Sequence, residues 1–125
     1  MARFLIAAAA LAAMIATPAM AGDVTAGTRV FKAQCAICHA TSVAAAPGIG
    51  PSLAGVVGRK PGTQPAFATR YSSAMKQVAQ VWGPDTLKAY ITNPAKAVPG
   101  NKMPFAGLRD ATQTGDVIAY LQSLH

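Results

Sequence analysis

The chain contains no glutamate, and its acidic residues are four aspartates, Asp23, Asp85, Asp110 and Asp116. Cysteine and histidine are equally scarce, with two of each, and tryptophan occurs once. These shortages exclude whole classes of chemistry. There is no glutamate for acid–base work and no Ser/His pairing for nucleophilic catalysis. A structural zinc site needs four N/S ligands, and the chain could supply them only by spending all four cysteines and histidines, the last of them the C-terminal His125. No period-2 run is long enough for a convincing strand, which excludes a β-sheet architecture and predicts an all-α chain. No internal repeat or interdomain linker divides it.

The N-terminal segment sets the compartment. Arg3 is the one charge before Asp23, and residues 4–16 form an unbroken apolar run. Thr17-Pro18 breaks it, and Ala19-Met20-Ala21 supplies the small-x-small pattern read by signal peptidase, just ahead of Gly22. The competing reading is an uncleaved anchor. It suffers from a short span rich in weakly hydrophobic alanine and from the lack of a polar linker after it. The expected organisation is therefore a cleaved signal peptide over 1–21, one domain over 22–125, a periplasmic location and no permanent membrane anchor.

With Arg3 removed, ten lysines and arginines face four aspartates, a net charge of +6. A basic excess attracts nucleic acid, anionic membrane or an acidic protein partner. The cations are scattered rather than gathered in a tract, and an exported protein does not meet nucleic acid, so an acidic docking surface on a partner protein is expected.

Helices are predicted from caps and periodicity. Asp23 caps a helix whose apolar positions are Val24, Gly27, Val30, Phe31 and Cys35. A short helix is expected over 73–81. Pro84 and Asp85 open another, running through Leu87, Tyr90 and Ile91 and stopped by Asn93-Pro94. The last helix, starting at Thr112 or Gly115 and ending at Leu124, sets Val117, Tyr120, Leu121 and Leu124 on one face. Between them lie loops over 40–51 and 58–65 and an irregular strap, KAVPGNKMPFAG, over 96–107.

Three of the four cysteines and histidines fall in one pentapeptide, CAICH, residues 35–39. A C-x-x-C-H string is the spacing of covalent haem attachment. On a helical turn the two thiols share a face and can each add to one vinyl group of the same haem, and the next residue, His39, is carried to the iron. A thioredoxin-like redox pair lacks its βαβ context here. A plain disulfide would leave His39 unexplained. Candidate ligands for the other face of the iron are Met75, Met103, His125 and a lysine. His125 is a chain end, and Met75 sits in helix-like sequence where methionine fills cores. Met103 lies in the Pro/Gly strap, which can run irregular backbone past a cofactor, and is the favoured candidate.

CAICH, GPSLAGVVGRKPG, YSSAMKQVAQVW, TNPAKAVPGNKMPFAG and DVIAYL occur in the order and spacing of class I cytochromes c. The chain resembles the mitochondrial protein and its small soluble bacterial relatives over 22–125. The resemblance implies helices and loops wrapped around one covalently bound haem c per chain. Cys35 and Cys38 would carry the thioethers, and His39 and Met103 would be the axial metal ligands. Pro51 would hold the other ring nitrogen of His39 through its carbonyl. Arg59, Tyr71 and Trp82 match groups around the haem propionates, Tyr90 matches a hydroxyl near the methionine sulfur, and Asn101 stands where the family often has threonine. Gly27 and Phe31 match first-helix positions that pack on the last helix near Val117 and Tyr120. Met75 departs from the family, which often has a polar residue there.

The implied function is one-electron outer-sphere transfer by a monomeric, soluble carrier in a respiratory chain, not an enzyme. Its route would run from a quinol-oxidising cytochrome bc complex to a terminal oxidase or photosynthetic reaction centre. The alternatives are a carrier dedicated to one periplasmic dehydrogenase and, from another class, a haem peroxidase or gas binder, which would need an open sixth site. Lys96, Lys102 and Arg109 are the cations expected around the exposed haem edge, with Ala95 and Gln34 at positions where relatives carry lysine.

Overall fold

The structure, a computed structural model, describes residues 22–125; the expected signal peptide lies outside them. Among the described residues there are five helices and no strand: α1 (Val24–Gln34), α2 (Ser73–Lys76), α3 (Pro84–Thr92), α4 (Pro94–Ala97) and α5 (Ala111–Gln122). One 3-10 turn spans Pro65–Phe67. The rest is ordered loop.

Side-chain caps set where the helices start. Asp23 accepts from the Ala26 N–H at 2.9 Å, Ser72 from Met75 at 3.1 Å, Asn93 from Lys96 at 3.2 Å and Asp110 from Gln113 at 2.9 Å. α3 starts differently, with Thr86 Oγ1 accepting from the Gly83 N–H at 2.8 Å and Pro84 in the first turn, where its missing N–H costs nothing.

Three boundaries differ from expectation. α2 stops at Lys76 rather than reaching residue 81: Met75 is the one residue it fully buries, Val78 packs on the core from outside the helix, and Val81 is exposed. Pro94 does end α3, but it also opens α4, since Asn93 accepts a hydrogen bond as the cap and proline fits the first position. α5 begins at Ala111, earlier than Thr112, because Asp110 is its cap, and it ends at Gln122, short of Leu124.

α1 and α5 pack against each other and organise the core. Gly27 is buried at the crossing, where a Cβ would run into the Asp116 carbonyl oxygen. That close approach brings the Phe31 and Tyr120 rings to 5.2 Å between centroids at 57°. Val117 and Thr114 are the innermost side chains of α5, and the Thr114 hydroxyl donates to the Leu108 and Asp110 carbonyls. Val24, in the expected apolar stripe of α1, is instead exposed.

The loops are tied to this frame. Gly58 and Trp82 exchange backbone bonds with their neighbours across the fold, Gly58 N–H to the Trp82 carbonyl at 2.6 Å and Trp82 N–H to the Arg59 carbonyl at 2.9 Å. After the strap, Leu108 N–H donates to the Ile91 carbonyl at 2.8 Å. Gly107 makes that return possible: its φ is 117°, and a Cβ would collide with the Thr92 carbonyl.

Candidate functional site

α1 ends directly into the CAICH turn. The Cys35 N–H donates to the Phe31 carbonyl at 2.8 Å, and the Cys38 and His39 N–H groups both donate to the Cys35 carbonyl at 3.0 Å. This tight turn places Cys35, Cys38 and His39 on the wall of one cavity of about 410 Å³, and both thiols are free. Burial, reinforced by Cys38, pushes the Cys35 thiol up to about 11.

His39 is oriented by its neighbours. Its Nδ1 lies 2.7 Å from the Pro51 carbonyl oxygen, which can only accept, so Nδ1 carries the proton and the Nε2 lone pair is free. Gly50 leaves room for the ring, since a Cβ there would strike it. Burial lowers the pKa of His39, with the Pro51 bond opposing, which favours the neutral form that metals bind.

Met103 lines the same cavity from the strap. Asn101 holds the strap in place. Its Oδ1 accepts from the Met103 N–H at 2.9 Å, and its Nδ2 donates to the carbonyls of Pro94 at 3.0 Å and Val98 at 2.9 Å. The Tyr90 hydroxyl is 3.8 Å from Met103 Sδ and 3.5 Å from Asn101 Oδ1. Burial raises Tyr90 to about 12, so it remains a neutral donor. Met75, 9% exposed, also lines the cavity, whereas His125 is exposed at the chain end and does not.

Pro51, Arg59, Tyr71, Trp82 and Tyr90 all line the cavity; Asn101 does not, and reaches it through Met103. Arg59 is braced by donating to the Ala54 and Ser52 carbonyls, each at 3.1 Å. Burial lowers its pKa, while Tyr71 opposes the shift. Tyr71 is raised by burial and accepts from the Gln64 N–H at 3.3 Å. Trp82 packs on Tyr90 with 5.1 Å between ring centroids. The remaining walls include residues sequence reasoning did not single out, among them Leu53, Val56, Phe67 and Arg70. Most stand in loops without periodicity, so no local pattern marks them. Arg70 stacks over the Phe67 ring at 4.4 Å.

Residues 24–125 match the family model described as Cytochrome c. The chain belongs to the class I cytochrome c family. It is 46% identical to the cytochrome c of Chlamydomonas reinhardtii over 104 residues, which cover 83% of this chain and 91% of the relative. Against the cytochrome c2 of Rhodomicrobium vannielii it is 47% identical over 105 residues, 84% of this chain and 82% of the relative. Among solved structures, cytochrome cH from Methylobacterium extorquens superposes with a TM-score of 0.73 at 38% identity, covering 82% of this chain and 99% of that one.

As a class I cytochrome c the protein is an electron carrier, not an enzyme, with one covalently attached c-type haem. The cavity fits that group. Its volume of about 410 Å³ falls in the range of cofactor sites, roughly 300–1,000 Å³, and its walls are mostly apolar. Two thiols, a free imidazole Nε2 and a thioether all belong to residues that line it, and the cations Arg59, Arg70 and Lys102 line it too.

Proposed function

We propose that this cytochrome c is a diffusible periplasmic carrier whose haem would be bonded to Cys35 and Cys38 and held at its iron by His39 and Met103. The observation that supports this most directly is that one apolar cavity gathers those four residues, with Pro51 fixing the tautomer of His39. When bound, the haem supplies a one-electron iron couple. The chain's own residues decide how that couple behaves. Pro51 orients His39 and makes it a better donor. Asn101 and Tyr90 position Met103, whose thioether would be the second protein ligand of the haem iron and would leave oxygen and peroxide no place to bind. The soft sulfur favours Fe(II) and raises the reduction potential. Arg59, Tyr71 and Trp82 line the walls and would meet the propionates.

No described helix is long and apolar enough to cross a membrane. Removal of a signal peptide over 1–21 would leave a mature domain that diffuses between membrane partners. The route that fits the family is from a quinol-oxidising cytochrome bc complex to a terminal oxidase or photosynthetic reaction centre. The test is Met103→Ala. The variant should retain haem, show a lower potential and bind carbon monoxide readily in the ferrous form, where the wild type resists it. A variant with unchanged potential and no carbon monoxide binding would remove Met103 from the iron.

A further inference from the structure

Two glycines meet at the foot of α1. Gly22 lies so close to α5 that a Cβ on it would run into the Gly115 carbonyl oxygen and crowd the Asp116 nitrogen. A Cβ on Gly115 would meet nothing, so the constraint falls on Gly22 alone. The next residue is fastened to the same turn of α5. The Asp23 N–H donates to Asp116 Oδ1 at 2.8 Å, although 93 positions separate the two in sequence. About one turn further along α1, Gly27 approaches the carbonyl of the same Asp116.

The Asp116 carboxylate has capacity to spare. An ionised carboxylate offers about four lone-pair positions, and Asp23 occupies one of them among the described residues. Before processing, the Gly22 nitrogen is an uncharged amide. Hydrolysis of the Ala21–Gly22 bond consumes one water, leaves a carboxylate on Ala21 and frees an amine on Gly22. An α-amine ordinarily titrates at about 7.7–8.0, so this one takes up a proton and is an ammonium at neutral pH. Three covalent bonds separate it from the Asp23 nitrogen that Asp116 already holds, which brings the new charge within reach of the carboxylate. A bare cation at the start of α1 would oppose the helix dipole, and a carboxylate partner offsets that cost.

We propose that the α-ammonium released on Gly22 pairs with the Asp116 carboxylate, so that removal of the leader itself completes the contact between the start of α1 and α5. This rests on the reading above that a signal peptide is removed over 1–21. The pair exists in the processed chain alone. A cut one residue earlier would carry the charge away from Asp116, on a residue beyond the contact. A larger residue at position 22 would hold the chain off Gly115. The cleavage point and the packing of the two helices are therefore matched.

The test compares four ferric holoproteins exported and matured in a bacterial periplasm. They are wild type, Asp116→Asn, a chain with one extra alanine between Ala21 and Gly22, and the two changes together. Asparagine keeps an acceptor for the Asp23 N–H and removes the charge. Intact mass establishes the first residue of each protein, and thermal unfolding is followed at neutral pH in low and high salt. In low salt the extra alanine should lower the midpoint of the wild-type chain by roughly 3 °C, the scale of one exposed ion pair in a domain of this size. In the Asp116→Asn background the same insertion should cost less than about 1 °C. The wild-type advantage over the extended chain should shrink at about 1 M salt. An insertion that costs the same with and without the Asp116 charge, or that costs the wild-type chain nothing, overturns the proposal. Failure of the cleavage reading looks different: the wild-type mass would show a retained leader or a first residue other than Gly22, and the proposal would fall with it.

Discussion

Asn101→Ala tests how the strap is held. The Asn101 side chain bonds on both sides of the strap. It accepts from the Met103 N–H at 2.9 Å and donates to two carbonyls, of Pro94 at 3.0 Å and Val98 at 2.9 Å. Alanine removes these three bonds; the Met103 N–H loses its partner, while the Pro94 and Val98 carbonyls keep only their backbone donors, the Val98 and Asn101 N–H groups. At about 1 kcal/mol each, the loss is about 3 kcal/mol. For a domain of this size that lowers the melting temperature by roughly 12–24 °C, at about 4–8 °C per kcal/mol. Tyr90→Phe is the comparison, since the Tyr90 hydroxyl makes only long contacts, 3.5 Å to Asn101 and 3.8 Å to the Met103 sulfur. It should cost less than about 1 kcal/mol. The assay is thermal unfolding of the ferric holoprotein, followed by Soret absorbance and by the near-infrared band of methionine-bound Fe(III). In Asn101→Ala the band should disappear well below the global transition, because the strap loosens first. If Asn101→Ala melts within about 1 kcal/mol of wild type, or if Tyr90→Phe is the more damaging change, the strap is not held as argued here.

Acid–acetone extraction of the wild type should leave haem on the polypeptide, and haem should extract cleanly only when both Cys35 and Cys38 are replaced by serine; clean extraction from wild type refutes the c-type assignment. Gly50→Ala places a methyl group against the His39 ring, so it should sharply reduce holoprotein yield, measured as haem absorbance per polypeptide; a normal yield would mean that the loop before Pro51 gives way freely.

What could be read from the sequence follows from the range of the interactions involved. Caps are local, so Asp23 marked the start of α1 correctly. The CAICH turn and the Pro/Gly strap were legible for the same reason: the candidate ligands and their spacing lie within five and twelve consecutive residues. Tertiary consequences were less visible. Pro94 reads as a helix stop, and only the Asn93 cap shows that it is also a start. α2 is shorter than its sequence suggests: Val78 reaches the core from beyond the helix, and Val81 turns out to solvent. Asn101 reads as a residue of the haem environment, whereas its contacts are to the backbone behind Met103. Much of the cavity wall, Leu53, Val56 and Phe67 among it, comes from aperiodic segments brought together only by the fold.

The claim on which the account depends is that Met103, and not the cavity-lining Met75, completes the haem site with His39. The near-infrared spectrum of the ferric protein measures this directly, taken on wild type, Met103→Ala and Met75→Leu under the same conditions. The band should be present in wild type, absent in Met103→Ala and retained in Met75→Leu. A band that survives Met103→Ala and is lost in Met75→Leu would place the wrong methionine on the iron, and a wild type with no band at all would contradict methionine ligation altogether.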